Sequence, residues 1–439
     1  MPTQPEGWPQ DAFFYVLLSV AIILILAQIM GRLAAAVGQP RVVGEIIAGL
    51  LIGPTVLGGA LAAGGQPAEG LVGNLFGPAA GFLALTGQIG LIFYMFLVGM
   101  ELDQSLLRGR FRQIAVTGLA VVLVPIAFGF LVGALLTGPT WVPAGVDATI
   151  FSMFVGAALS VTAFPVMARI LQEKGLIATP LGATGVGAAA LVTVLMFLAI
   201  AAANALVTMS RVEVELGLRL GLTVAFVLVL LFVVRPVVER MTTRLTSETL
   251  PASLIGVLLA GAVASGLIGD RIGISALVGG FLFGLVIPGR LATPIIGRMQ
   301  PAVVLFFLPI FLAFSGLRTD LKTIGIDLIP GVLLVLTLMI VGKWGVGYVV
   351  GRATGLPAVQ AHVLGVLLNC RGLLILVVAL RGLELGVITP AMQAVFVIGA
   401  IVTTVMTGPL TDYFLSRERR QVVPETGEEA GAAVAAIGR

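Results

Sequence analysis

The feature that most constrains this chain is a series of long apolar runs separated by short polar loops. A helix needs about 20 apolar residues to cross a bilayer, and by that rule we predict about thirteen spans. They lie at roughly 11–36, 42–60, 82–103, 113–137, 148–171, 181–208, 216–236, 249–268, 272–288, 300–317, 327–352, 360–381 and 388–412. Because 59% of the 439 residues are hydrophobic and only 10% are charged, the composition excludes a soluble globular protein and predicts an all-α integral membrane protein.

The positive charges of the loops alternate from one side of the membrane to the other. One set of loops carries Arg32, Arg41, Arg108, Arg110, Arg112, Arg169, Lys174, Arg235, Arg240, Arg244, Arg290, Arg298, Arg352, Arg417, Arg419 and Arg420. The opposite set carries only Arg211, Arg219, Arg271, Arg318, Lys322 and Arg381. Cytoplasmic loops hold the excess of Lys and Arg, so we predict a cell-membrane protein with residues 1–10 outside and the C-terminus in the cytoplasm. Charges placed this way give no indication of nucleic-acid binding.

The polar end of the chain, 413–439, is predicted to be a disordered cytoplasmic tail. The run GATGVG at 182–187 is not a dinucleotide fingerprint, because its spacing is wrong and no strand precedes it. The single cysteine, Cys370, rules out an intramolecular disulfide framework or a cysteine-based metal site. We expect no cofactor and no metal.

Two stretches of the chain repeat with inverted orientation. VVGEIIAGLLIGP at 42–54 resembles SALVGGFLFGLVIP at 275–288 in its glycine spacing, and LIFYMFLVGMELD at 91–103 resembles LPIFLAFSGLRTD at 308–320. The predicted topology starts the two copies on opposite sides of the membrane. We therefore predict a first repeat at about 11–208, a linker helix at 216–236 and a second repeat at about 249–412. Inverted repeats place the working site near the bilayer midplane, at interrupted helices.

The predicted interrupted helices are 148–171 and 360–381. Ser160, Thr162 and Pro165 break the apolar run of the first, and the sequence from Asn369 to Gly372 occupies the centre of the second. Broken helices are tolerated in lipid only beside a protein-lined or wet cavity. We therefore expect these two breaks to form the functional centre.

The ionisable residues at mid-depth are basic. At a rise of about 1.5 Å per residue, Lys343, Arg371 and Thr193 fall near mid-membrane, whereas every Asp and Glu lies near a predicted helix end, in a loop or in a tail. A positive centre disfavours cations and suits an anion or a polar organic molecule. The candidate substrate-binding residues are Thr162, Val192, Thr193, Lys343, Asn369, Arg371 and Glu45, with Lys343 and Arg371 the candidates for any catalytic role.

Simpler structural roles remain open for several of these residues. Arg371 could merely bind the carbonyls of a broken helix, Lys343 could extend toward the interface or stay neutral, and Thr193 could pack within its helix. Glu45 could pair with a loop arginine. His362, the only histidine, lies near a helix end and is better explained as an interfacial residue than as a proton relay.

Several ordered motifs resemble those of one family. They are QPRVVGEIIAGLLIGPTVLG (39–58), FLVGMELD (96–103), ALSVTAFPVMARIL (158–171), GISALVGGFLFGLVIP (273–288), LPIFLAFSGLRTDL (308–321), LLNCRGLLIL (367–376) and VTTVMTGPL (402–410). Together, over roughly residues 10–412, they resemble the monovalent cation:proton antiporters, in the branch of the plant and bacterial cation/proton exchangers and the Kef-type potassium systems. The resemblance implies a homodimer of 13-helix protomers with the sodium/proton antiporter fold, in which two broken helices cross within a mobile core.

The resemblance also exposes departures from the family pattern. The family's Asn-Asp or Asp-Asp pair aligns with Val192 and Thr193, and the glutamate after its Asn-Thr-Arg-Gly motif aligns with Ile375. Lys343 and Arg371 match the family's intramembrane lysine and motif arginine. The missing acids predict either a changed substrate or cation exchange without the usual proton coupling.

Two functions follow from these observations. The first is a secondary transporter of a monovalent cation, sodium or potassium, or of a changed substrate, working by an elevator-like motion. The alternative is a membrane-embedded enzyme or binding protein acting on a hydrophobic small molecule, with Lys343 as acid or base and Arg371 as an anion clamp. A pocket much larger than an ion would favour the alternative.

Overall fold

In the computed structural model, the described part of the chain forms helices joined by turns and loops, with no strand. The described residues are 12–57, 76, 79–101, 111–163, 166–167, 170–171, 174–176, 179–209, 215–242, 251–272, 274 and 276–422. Each of the thirteen predicted spans contains helix. Within the described ranges, eight helices are long and apolar enough to cross a membrane. The predicted fold class, an all-α membrane protein of antiporter type, is confirmed.

Within the described residues, the first half of the chain contains seven helices of twelve residues or more. They are α1 (Ala12–Ala36), α2 (Arg41–Ile52), α3 (Ala80–Glu101), α4 (Phe111–Leu135), α5 (Ala148–Leu159), α6 (Pro180–Met209) and α7, which joins Glu215–Val229, a π-helical turn at Leu230–Val234 and Arg235–Thr242. The predicted break after α5 is observed, because residues 160–163 leave the helix and residues 166–167 and 170–171 are helical again.

The second half forms the remaining helices in a matching order. They are α8 (Ala252–Ile272), α9 (Ala276–Leu285), α10 (Gly289–Ala302, a π-turn at Val303–Phe307, and Leu308–Leu317), α11 (Ile329–Ile340, a π-turn at Val341–Gly345, and Val346–Ala353), α12 (Ala358–Leu368), α13 (Gly372–Glu384) and α14 (Pro390–Val422). Here α12 and α13 are the two halves of the second broken helix. Its break lies at 369–371, as predicted.

The repeated motifs pack against each other in exchanged pairs. Helix α2 of the first copy packs on α10 of the second, where a Cβ placed on Gly49 would lie 2.8 Å from Ala313 Cα. Helix α9 of the second copy packs on α3 of the first, where a Cβ on Gly284 would lie 3.0 Å from Gly99 Cα. Glycine lets helix backbones approach closely within a membrane. The glycines whose spacing suggests the repeat are therefore also the residues at which its two copies pack together.

Two predicted spans are shorter than expected. The span predicted at 42–60 is observed as α2, which ends at Ile52. The span predicted at 272–288 is observed as α9, which has only ten residues. At about 1.5 Å per residue these helices are roughly 18 and 15 Å long. A proline follows each of them, at Pro54 and Pro288, and the residue before a proline is pushed out of the helical region.

Two other helices are longer than predicted. Helix α10 starts at Gly289 rather than 300, because a π-turn and helix-interior prolines are absorbed within one continuous helix. Helix α14 continues to Val422, so the predicted disorder is wrong for 413–422. Its extension contains strong helix formers, and the Arg417 guanidinium lies 4.7 Å from the centre of the Tyr413 ring. Residues 423–439 lie outside the described residues.

Candidate functional site

The two helix breaks meet and satisfy each other's backbone groups. The N–H of Ala163, in the first break, donates to the carbonyl oxygen of Cys370 in the second at 2.7 Å. The hydroxyl of Thr162 donates to the carbonyl oxygen of Leu368, the last residue of α12, at 2.8 Å. Unpaired backbone groups are expensive in the bilayer core. The crossing is therefore a mutually stabilised unit.

Arg371 binds the end of α5 from the other break. Its Nη1 donates to the carbonyl oxygens of Ala158, Leu159 and Val161 at 3.2, 2.6 and 3.3 Å. Its Nη2 donates to the carbonyl oxygen of Met339 at 2.8 Å. The last carbonyls of a helix carry partial negative charge, so a guanidinium is well placed there. The structural role left open for Arg371 is thus observed, and its charge is fixed among carbonyls.

Lys343 reaches the same crossing from α11. Its side chain is fully buried, and Nζ donates to the hydroxyl oxygen of Thr162 at 3.0 Å. The Thr162 hydroxyl therefore accepts from Lys343 and donates to Leu368. Lys343 and Arg371 are also close enough to interact electrostatically. Of the predicted site residues, Thr162, Lys343 and Arg371, with the neighbouring Asn369, are brought together.

The local structure of α11 explains how Lys343 arrives there. Lys343 lies within the π-turn Val341–Gly345, a kind of turn that is frequent at functional sites. One turn further on, a Cβ placed on Gly347 would lie only 2.7 Å from Gly365 Cα on α12. This close approach of α11 to α12 brings the lysine to the break.

Two further contacts of the second break were not predicted from the sequence. The N–H of Gly372, which starts α13, donates to the hydroxyl oxygen of Thr404 on α14 at 3.0 Å. Asn369 Nδ2 lies 3.7 Å from the sulfur of Met406. The adjacent threonines at 403 and 404, in the middle of an apolar run, are the sequence signal that could have indicated a polar requirement here.

Asn369 leaves one polar atom unsatisfied. Its Oδ1 is buried and has no hydrogen-bond partner among the described residues. A buried acceptor without a donor is uncommon in native structures. The oxygen is therefore available to a water molecule or an ion at the crossing.

Val192 and Thr193 lie buried on α6. The hydroxyl of Thr193 donates to the carbonyl oxygen of Ala189, four residues earlier on the same helix, at 2.8 Å. This bond uses the hydroxyl hydrogen locally, as expected for a threonine within a helix. The structure joins neither residue to Lys343 by a hydrogen bond among the described contacts.

Glu45 lies away from this network, on α2. It is only 6% exposed, and its Oε2 has no hydrogen-bond partner among the described residues. Among the carboxylates on the other membrane helices, Glu101 is the last residue of α3, Glu384 is the last of α13, and Asp270 lies two residues before the end of α8. Asp412 lies ten residues before the end of α14, where its exposed side chain pairs with Lys174. The ionisable side chains at the crossing of the two breaks are thus the cations Lys343 and Arg371.

A cavity of about 100 Å³ lies between α13 and the helices α3, α8, α9 and α10. Its polar lining comes from Gln88, Asp270, Arg381 and Glu384. It is on the side of the membrane predicted to be outside. Such a volume accommodates a few water molecules at about 30 Å³ each, whereas pockets for organic ligands measure roughly 300–1,000 Å³.

Relatives of the chain carry antiporter names. The sodium/proton antiporter NhaS4 of Synechocystis is 35% identical over 408 residues, covering 91% of this chain and 97% of that protein. The cation/proton antiporter 17 of Arabidopsis thaliana is 32% identical over 416 residues, covering 93% of this chain. The chain spans about half the length of that plant relative, 49%.

A solved structure shares the fold. The sodium/proton antiporter MjNhaP1 of Methanocaldococcus jannaschii superposes with a TM-score of 0.66 and 15% identity, covering 92% of this chain and 99% of that one. The family described as "Sodium/hydrogen exchanger, transmembrane" matches residues 18–416. The resemblance predicted from the sequence motifs is confirmed: this chain is a multi-pass membrane protein that belongs to the sodium/hydrogen exchanger family.

Proposed function

We propose that the chain is a secondary transporter that exchanges a monovalent cation, sodium or potassium, for a proton, with Lys343 in the role that a carboxylate pair has in the family pattern. The observation that carries this proposal is the 3.0 Å hydrogen bond from the buried Lys343 Nζ to Thr162 at the crossing of the two breaks. Arg371 is fixed by four carbonyl contacts. Lys343 is therefore the group at the crossing whose charge can change.

Competition between a proton and a cation follows from simple electrostatics. A protonated Lys343 and a monovalent cation about 5 Å apart repel by about 3 kcal/mol at an effective dielectric constant of about 20. This energy corresponds to about two orders of magnitude in affinity. The site would hold either the proton or the cation in one cycle, which is what exchange requires.

Neutral oxygens at the crossing supply ligands for the cation. Thr162 Oγ1 accepts from Lys343 with one of its two lone pairs and keeps the other for a cation, and the buried Asn369 Oδ1 has no partner among the described residues. Hydroxyl and amide oxygens are suitable ligands for hard cations. Both residues belong to the breaks, so a movement of the core would carry the ligands along.

The transport cycle would be an elevator-like movement of the two crossed helices past the helices that pair through the repeated glycine motifs. Inverted-repeat transporters alternate access by moving one bundle as a rigid body against another, and here the moving bundle would carry the site with it. We also propose that the protein is a homodimer in the cell membrane, with its N-terminus outside and its C-terminus in the cytoplasm. Chemical cross-linking in membranes and labelling of single cysteines at the termini test these points.

The experiment that tests exchange uses proteoliposomes with a trapped pH dye. A pH gradient is imposed, and sodium, potassium or rubidium is then added. Dissipation of the gradient that depends on one of these cations supports the proposal. A flat trace from folded, inserted protein contradicts it.

An anion or polar organic substrate is the second candidate. It is favoured by Arg371 Nε, a buried donor without an acceptor among the described residues, and by the positive charge of the centre. Flux that requires a particular anion and ignores the cation would support it. The enzyme alternative needs room for an organic molecule beside Lys343 and Arg371, and neither residue lines the cavity of about 100 Å³ between α13 and the helices α3, α8, α9 and α10.

A further inference from the structure

We propose that Glu45 is a cation-binding site on the way from the cytoplasm to the crossing, separate from the central site. This inference rests on the proposed cation transport for its role in a cycle, although its binding step can be measured without transport. Glu45 is the fifth residue of α2, about 6 Å along the helix from its start at Arg41. In the proposed orientation this is the cytoplasmic end.

The carboxyl of Glu45 is buried without being satisfied. The residue is 6% exposed, and Oε2 has no hydrogen-bond partner among the described residues. A carboxylate in such surroundings must be compensated by a proton, a cation or hydrogen-bond donors. Arg41, an exposed residue of the same helix, supplies part of this compensation electrostatically. No protein donor reaches Oε2 among the described residues, so a bound cation or proton would complete it.

The packing around Glu45 holds the side chain in place. Next to it, a Cβ on Gly31 of α1 would lie 3.8 Å from Glu45 Cγ. The residue before it, Gly44, is pressed against the α1 backbone at Met30 and Gly31. The side chain is therefore confined at the α1–α2 seam rather than extending freely toward water.

Other ionisable groups lie near Glu45 and toward the crossing. Arg41 is the cation that interacts with Glu45 from its own helix. Tyr94 on α3 is within electrostatic range of Glu45, of Glu101 and of Cys370, the residue at the second break. Tyr94 is seven residues, about 10 Å, deeper than Glu101 at the end of α3. Glu101, Glu45, Tyr94 and Cys370 thus form a series of groups from the helix ends to the centre.

The chemistry of this series selects a monovalent cation. Glu45 and Glu101 carry two negative charges and Arg41 one positive charge, so one added positive charge balances the group. The Tyr94 hydroxyl supplies a further neutral oxygen on the way. A divalent ion would leave an uncompensated charge at depth, which is expensive in a membrane. The site would raise the local cation concentration below the crossing, where Lys343 and Arg371 repel cations.

A labelling experiment tests binding at Glu45 directly. Dicyclohexylcarbodiimide, an apolar reagent for protonated buried carboxyls, is applied to the purified full-length protein, and the modified peptides are measured by mass spectrometry. We expect sodium or potassium to slow modification of Glu45 at least fivefold relative to choline at equal ionic strength. Glu239, a partly exposed carboxylate that pairs with Arg235 at 3.1 Å, should stay unmodified in every salt. Equal rates in all salts, or no modification of Glu45 in choline, would overturn the proposal.

Transport kinetics separate this proposal from the proposed function. In liposomes of known protein orientation, Glu45→Gln should raise the KM for cation added at the cytoplasmic face about tenfold and leave the KM at the opposite face unchanged. Glu45→Asp should restore part of the loss, and the control Glu239→Gln should behave as wild type. Wild-type flux with an unchanged KM in Glu45→Gln contradicts the Glu45 site alone. A flat wild-type trace contradicts the transport function, while cation protection from labelling would still support binding.

Discussion

The side-chain nitrogen of Lys343 lies 3.0 Å from the hydroxyl oxygen of Thr162, which in turn donates to the carbonyl oxygen of Leu368 at 2.8 Å. The three groups come from α11, from the first break and from the last turn of α12. A charge on one helix is thereby connected to the end of a half-helix on another. The bond would change whenever Lys343 loses its proton, so the charge state of the lysine and the geometry of the crossing are linked.

Arg371→Met should lower the stability of the whole protein and not only its transport activity. It removes the Arg371 donors from four buried carbonyl oxygens, and each buried acceptor left unsatisfied typically costs about 1–3 kcal/mol. We expect a clear fall in the thermal unfolding midpoint in detergent, with Arg371→Lys intermediate because an ammonium cannot reproduce the planar fork. The control Arg318→Met removes an exposed arginine that lies 4.9 Å from the Phe314 ring centre and should change the midpoint little. Equal midpoints for the two Met variants would contradict the structural role of Arg371.

Gly347→Ala should displace α11 from α12. The new Cβ would lie 2.7 Å from Gly365 Cα, a backbone contact that no side-chain rotation relieves, so the helices must separate and the Lys343–Thr162 bond should lengthen. We expect loss of cation-dependent flux and a lower unfolding midpoint. Gly345→Ala is the matched control on the same helix, because its Cβ would meet only Val341 Cγ1 at 3.6 Å. Wild-type flux in Gly347→Ala would show that the close approach is dispensable.

The breaks were predictable from sequence because their causes are local. Ser160, Thr162 and Pro165 interrupt an apolar run, and the polar residues from Asn369 to Arg371 interrupt another. The partners of those breaks were not predictable, because they come from distant positions. Arg371 reaches Leu159 across 212 residues and Gly372 takes its acceptor from Thr404. Such pairings depend on which helices cross, and a single sequence does not reveal this.

Helix ends show the same division between local and distant causes. The end of α2 follows from Gly53 and Pro54, whose effect is local, although the prediction counted through them. The early start of α10 at Gly289 could not be read from hydropathy, since its first turns carry Arg290, Arg298 and two prolines. Its packing against α3 and the π-turn at Val303–Phe307 accommodate these residues.

Val192→Asn combined with Thr193→Asp should increase cation affinity. It adds the carboxamide and carboxylate of the family pattern at two buried positions of α6, and a carboxylate favours a bound cation in a low-dielectric site. We expect the KM for sodium or potassium in proteoliposomes to fall at least tenfold. Thr193→Ser, which keeps the hydroxyl, should leave it unchanged. An unchanged KM in a folded double variant would mean that the divergence from the family extends further, to positions such as Ile375.

The measurement that tests the central claim most directly is cation-driven proton flux in proteoliposomes of Lys343→Ala beside the wild type and Lys322→Ala. Lys322 is an exposed lysine in the short 3₁₀ helix Leu321–Thr323, which makes it the matched control. The fold should survive Lys343→Ala, because a buried charge is removed and Thr162 keeps its bond to Leu368. The account predicts flux in the wild type and in Lys322→Ala, and a loss of at least a hundredfold in Lys343→Ala with its oligomeric state unchanged. Full flux in Lys343→Ala would contradict the assignment of proton exchange to this lysine.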